Sequence, residues 1–117
     1  MGALQGCSVD FWRNNYGLWI GYFPSSMYSE EFDRDAIGAT LNFNTAINFD
    51  RRLEGIHGLV RESVAALLNA EHPGVNYPLT SREVLREFQI AYDSGGMQID
   101  EQLVRFKTFN HLACPFC

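Results

Sequence analysis

Cysteines at positions 7, 114 and 117 and a histidine at 111 are the residues of this 117-residue chain whose types and spacing most readily suggest chemistry. Three chemistries fit them. Cys7 can pair with Cys114, or alternatively with Cys117. Either bond would close a loop of more than 100 residues, for which a chain-entropy treatment gives about 4–5 kcal/mol of stabilisation. Cys114-Pro115-Phe116-Cys117 also has the Cys-x-x-Cys spacing of thiol–disulfide exchange, although that motif normally opens a helix, whose dipole lowers the thiolate pKa. Finally, Cys7, His111, Cys114 and Cys117 form a Cys3His set of the structural zinc type, with a lone cysteine in place of the usual second pair.

A second group of candidates lies near the front of the chain. Asn15, Tyr16, Trp19 and Tyr22 supply aromatic faces that stack on sugar rings and an amide that hydrogen-bonds hydroxyls. The same aromatics can instead fill the core of a small domain or form an apolar interface. Trp12 is expected in the core. The acidic run Glu30-Glu31-Phe32-Asp33-Arg34-Asp35 fails as a calcium loop: counted from Asp33, the fifth position is Ile37 and the twelfth is Asn44, where a bidentate Glu is required. It reads as a solvated face. His57 and His72 lie beside no nucleophile or metal partner, and neither a Gly-x-Ser-x-Gly elbow nor a phosphate loop occurs. No catalytic residue and no cofactor is expected.

The elements that must position these residues are mainly helical. Leu59, Val60, Val64, Leu67 and Leu68 recur at helical spacing between Gly58 and Ala70, and Pro73-Gly74 closes that segment. Thr80-Ser81-Arg82-Glu83 is a capping box opening a second helix, with an apolar stripe at Val84, Leu85, Phe88, Ala91 and Tyr92 and a stop at Gly95-Gly96. Asp100 is positioned to cap a third, with Leu103, Phe106 and Phe109 inward. Ser8 or Asp10 can cap a short helix through Trp12, and Ser29 precedes acids suited to a first helical turn. Residues 40–49 partly alternate apolar and polar. As a strand candidate without a partner, that stretch reads better as a loop or short helix.

Composition excludes several classes. A net charge of −5, with one lysine among nine basic residues, is not a nucleic-acid footprint. No apolar run approaches the ~18 residues of a membrane span. Apolar residues make up 46% of the chain and charged residues 20%, which suits a globular domain rather than a disordered one. Charge and aromatics are both uneven: residues 1–50 carry a balance of −4, and eight of the sixteen aromatics fall in the first 32 residues. One domain spanning 1–117 is expected.

Three segments carry a resemblance, the last being Ala113-Cys114-Pro115-Phe116, which stands in the place of a Gly-Cys-Pro-Leu close. Gly6-Cys7-Ser8-Val9-Asp10-Phe11-Trp12-Arg13-Asn14 resembles the Gly-Cys-Thr-Pro-Gly-(Tyr/Phe)-Trp-Lys-Asn opening of a domain family of secreted and cell-surface bacterial proteins. Val64 to Pro78 is similar to that family's Ala-Val-Ala-Ala-Leu-Leu-Asn-Ala-x-His-Pro-x-Val-x-Tyr-Pro segment. Val9-Asp10 replaces its Pro-Gly, and Glu62 stands where members often have His. The resemblance implies an extracellular setting and a structural Cys7–Cys114 pairing that joins the termini, leaving Cys117 as an intermolecular or free thiol. The Met1–Gln5 start has neither the basic stretch nor the apolar core of a signal peptide, so secretion would imply a processed form. The expected fold is therefore a mostly α bundle of about four to five helices with an irregular aromatic N-terminal third. The expected role is a non-catalytic surface or structural module whose partner is itself or a cell-surface glycan, with no nucleic acid and no transmembrane segment. A carbohydrate-binding module, or a small zinc or thiol-redox protein, are the other readings.

Overall fold

Residues 58–69 are buried without interruption, which makes the helix containing them the axis of the fold, because a helix screened on every side must lie inside its neighbours. The structure, a computed structural model, describes residues 2–116. Among those residues six α-helices form: α1 (Val9–Arg13), α2 (Tyr28–Phe32), α3 (Phe43–Ile47), α4 (Gly55–Glu71), α5 (Ser81–Ser94) and α6 (Met97–Asn110). A 3₁₀ turn spans Tyr16–Leu18. Helices α6, α5, α3 and α1 pack around α4, and α2 lies on α5. The fold is mostly helical, at 55%. No strand forms among the described residues, only isolated bridges at Gln5–Ala113 and Met27–Asn42.

The helix boundaries follow local chemistry. Ser8 and Asn42 each accept an amide of the helix they precede, from Phe11 and Thr45, so residues 43–47 form a helix rather than the strand their partial alternation permits. Thr80 and Glu83 complete the reciprocal capping box of α5. Helix α4 begins at Gly55, three residues before the expected Gly58. Gly58 instead marks a close approach: a Cβ there would lie 2.9 Å from both the Leu53 carbonyl and a Leu103 methyl of α6. Helix α6 begins at Met97 rather than after Asp100. Gly95 and Gly96 both take positive φ, at 70° and 54°, so the chain reverses within two residues and the next helix starts at once. Helix α2 begins at Tyr28, one residue before Ser29.

An aromatic cluster welds α2 and α3 to the rest. Tyr28 stacks on Phe32 at 4.3 Å between ring centroids, and Phe88 of α5 meets both rings edge-on. Such pairs add about 0.5–1.5 kcal/mol beyond their buried area. The two ends of the chain close on each other. Cys7 and Cys114 form a disulfide with Cα atoms 4.6 Å apart, and the Gly6 amide donates to the Ala113 carbonyl. Only glycine fits at position 6, because a Cβ there would collide with the Phe109 carbonyl oxygen.

Candidate functional site

Helix α4 carries four buried polar residues, Arg61, Glu62, Ser63 and Asn69, and three of them, Arg61, Glu62 and Asn69, organise the most elaborate hydrogen-bonding of the molecule. Asn69 is fully buried and all its polar positions are occupied. Its Oδ1 accepts the Cys7 amide at 2.8 Å and the Trp12 indole N–H at 3.1 Å. Its Nδ2 donates to the Cys7 carbonyl at 2.8 Å and to Asn110 Oδ1 at 3.1 Å. Asn110, at the end of α6, also accepts the Tyr77 hydroxyl at 2.7 Å and donates to the Glu62 carboxylate at 3.0 Å. Burial, with a further contribution from nearby Glu62, pushes the Tyr77 hydroxyl far above the usual tyrosine range. The other Glu62 oxygen accepts Arg61 Nε at 3.3 Å. Arg61 Nη1 donates to the carbonyls of Asp50 and Leu53, at 2.7 and 2.9 Å. One continuous chain of hydrogen bonds thus runs from the disulfide loop, through α4 and α6, to the loop that enters α4.

This chain ends at a cleft of about 220 Å³ lined by Ser8, Val9, Asp10, Arg51, Arg61, Glu62, Lys107 and His111. Arg61 and Glu62 form its floor, each only 3% exposed. Asp10 pairs with Arg13, and more loosely with Arg51 at 3.6 Å. His111 Nδ1 donates to the Lys107 carbonyl. Arg61, Glu62, Asn69 and Asn110 were not among the residues the sequence pointed to as a site. Pattern alone gives no signal for them: at helical spacing Glu62 and Asn69 fall opposite the stripe of Leu59, Val60, Val64 and Leu67, the face that ordinarily meets solvent.

The residues expected from the sequence fall out differently. Cys7 and Cys114 are joined, as the implied pairing had them. That bond removes two of the four thiolate and imidazole ligands from the zinc set Cys7, His111, Cys114 and Cys117, because a disulfide sulfur is not a thiolate. It also occupies Cys114, so the Cys114–Cys117 exchange motif is not the pairing formed. Cys117 itself lies outside the described residues. Trp12 is fully buried. Of the proposed ligand-facing group, Trp19 is 9% exposed and donates its indole N–H to the Trp12 carbonyl, so its face is not open for stacking on a sugar. Asn15 spends its amide on the Phe11 carbonyl. Tyr22 is half-buried against Phe43, and its hydroxyl is pushed up by burial and by Glu71 and Glu31. Tyr16 is 39% exposed, but its hydroxyl donates to Asn44 at 2.6 Å and accepts from Asn48. Tyr16 and Trp19 come together, their ring centroids 5.1 Å apart, while the polar groups of Asn15, Tyr16 and Trp19 are taken up by partners within the fold. The surface next to them is instead apolar: Leu18, Ile20 and Phe23 are exposed, Phe23 by 69%.

Residues 8–113 match the sequence model of the protodermal factor 1 C-terminal domain. No curated protein and no solved structure matches the chain. The match corrects the resemblance to a bacterial secreted family, since the matched family is a plant one.

Proposed function

The chain belongs to the protodermal factor 1 C-terminal domain family, and for this member we propose a non-catalytic, secreted or cell-surface structural module that associates with copies of itself. The observation that carries the reading is the Cys7–Cys114 disulfide. Structural disulfides persist in oxidising, extracytosolic compartments and are rare in the cytosol. The polar groups of the interior support a structural role, since no buried side-chain nitrogen or oxygen is left without a partner among the described residues. Self-association is supported by the exposed Leu18, Ile20 and Phe23 on one segment, next to Tyr16, in a chain whose other aromatics are largely packed inside.

Two measurements test the reading. Protein isolated from its own tissue with thiols blocked at lysis has Cys7 and Cys114 protected from alkylation. Finding both alkylated would overturn the secreted assignment. Sedimentation velocity across a wide concentration range gives a species heavier than 13.3 kDa that Phe23→Ser returns to monomer. A monomer at every concentration would remove self-association and leave the secreted assignment intact.

A further inference from the structure

We propose that the cleft between the start of α1, the α3–α4 loop, α4 and the end of α6 is a binding site for a small oxyanion, a carboxylate or phosphate group carried on a molecule no larger than a single sugar. This goes beyond the structural reading and does not depend on it.

Hydrogen-bond bookkeeping around the cleft carries the proposal. Each of its two acids already faces a cation. Glu62 takes Arg61 Nε on one oxygen and Asn110 Nδ2 on the other, and Asp10 takes Arg13 and Arg51. Several donors are not spent. Arg61 uses Nε and Nη1 but makes no hydrogen bond through Nη2 to any described residue. Among the described residues no buried side-chain nitrogen lacks a partner, so an Nη2 without one opens onto accessible space, and the space this 97%-buried residue lines is the cleft. Lys107 has no ion-pair partner among the described residues. The Ser8 hydroxyl accepts the Phe11 amide, and its own proton is given to no described acceptor. A site whose acids are paired and whose cations outnumber them, with donors left open, is complementary to an anion. Guanidinium and ammonium groups also make the strong, charge-assisted bonds that oxyanions accept.

Placement and size sharpen the class. Three of the nine basic residues of an otherwise acidic chain line this one cleft. The Arg61 fork is held rigid by the Asp50 and Leu53 carbonyls and by Glu62, so little side-chain entropy is lost on binding. At about 220 Å³ the cleft falls below the ~300 Å³ where pockets for drug-sized ligands begin. That suits a free anion or one small hydroxy acid and excludes a nucleotide or an extended chain inside it.

Amide NMR titrations of the whole chain with sodium phosphate and with sodium glucuronate, against sodium chloride at equal ionic strength, test the proposal. Saturable shifts confined to residues 8–10, 51, 61–62 and 107–111, with a Kd in the millimolar range or tighter, are expected from at least one of the two. Which one saturates distinguishes a phosphate from a carboxylate ligand. Lys107→Gln, an exposed and fold-neutral change, weakens that binding about fivefold. Arg61→Lys weakens it tenfold or more by removing the Nη2 donor. If Arg61→Lys fails to fold, Lys107→Gln alone decides. Absence of saturation by either anion, shifts centred elsewhere, or a Lys107→Gln affinity equal to the wild type would overturn the site.

Discussion

Replacing Asn69 with alanine puts the interior network to its sharpest test. The substitution deletes four hydrogen bonds at once. One of the four partners, Asn110 Oδ1, keeps the Tyr77 hydroxyl, but the Cys7 amide, the Cys7 carbonyl and the Trp12 indole N–H each lose the only side-chain partner they have here. Each buried group so orphaned costs about 1–3 kcal/mol, and some relief comes from water entering the space left behind. The expected loss is therefore about 3–6 kcal/mol. A chain of this length has a total stability of roughly 6–18 kcal/mol, so the variant sits near the edge of folding even with its disulfide intact. Urea denaturation followed by tryptophan fluorescence reads the effect directly, because Trp12 is one of the two indoles and is itself a partner. Asn69→Asp is close to isosteric and keeps both accepted bonds, but it turns a carboxylate oxygen toward the Cys7 carbonyl and Asn110 Oδ1, so it is expected to be at least as damaging near neutral pH. A loss below about 1 kcal/mol for Asn69→Ala would refute the network as a determinant of stability.

Two further outcomes are expected. Cys7→Ser with Cys114→Ser opens a loop with a sequence separation of 107, which lowers stability by about 5 kcal/mol in the chain-entropy model and the melting temperature by roughly 20 °C for a domain of this size. Calorimetry of the double variant against the wild type measures this, and a fall of only a few degrees would mean the unfolded chain keeps its ends together without the bond. His72 accepts the Gly74 amide on Nδ1 at 2.9 Å, which requires a neutral ring, and burial holds its pKa below the usual histidine value. The unfolded chain then binds this proton more readily than the folded one, so stability is intact above about pH 6.5 and declines as the pH falls through and below that value. Denaturation midpoints measured over that range should slope less in His72→Asn, and an unchanged slope would assign the effect elsewhere.

Much of the helical frame was legible from residue pattern alone. Helix α5 followed from its capping box and stripe, and α4 from the spacing of Leu59 to Leu68, since both signals are local and act through backbone donors and one apolar face. The misplaced starts of α4 and α6 have a tertiary cause. Gly58 looks like a helix start until α6 is seen pressing Leu103 against it inside the helix, and Gly95-Gly96 reads only as the stop of α5 until both positive φ angles fold it into a two-residue corner that starts α6. The disulfide followed from an implied pairing whose family proved to be another one. Physically it rests on the Gly6–Phe109 approach and the Gln5–Ala113 bridge, which involve residues more than 100 positions apart and leave no local trace. The cleft was hidden for a related reason. Arg61 and Glu62 are ordinary surface residues by type, and only the packing of α1 and α6 around α4 makes them the floor of a site. The aromatic front was ambiguous by type, because residues suited to stacking on a ligand are equally suited to stacking on one another.

The Cys7–Cys114 bond also decides how the domain carries tension. A pull applied to the segments on either side of it enters at Cys7 and leaves at Cys114, whose Cα atoms are 4.6 Å apart and covalently linked. The load therefore bypasses the helices. Unfolding the looped residues would release almost no length, whereas the same chain without the bond would lengthen by up to ~3.3–3.6 Å for each of those residues. Within any strained array the oxidised domain acts as an inextensible node, and reduction turns it into a yielding one.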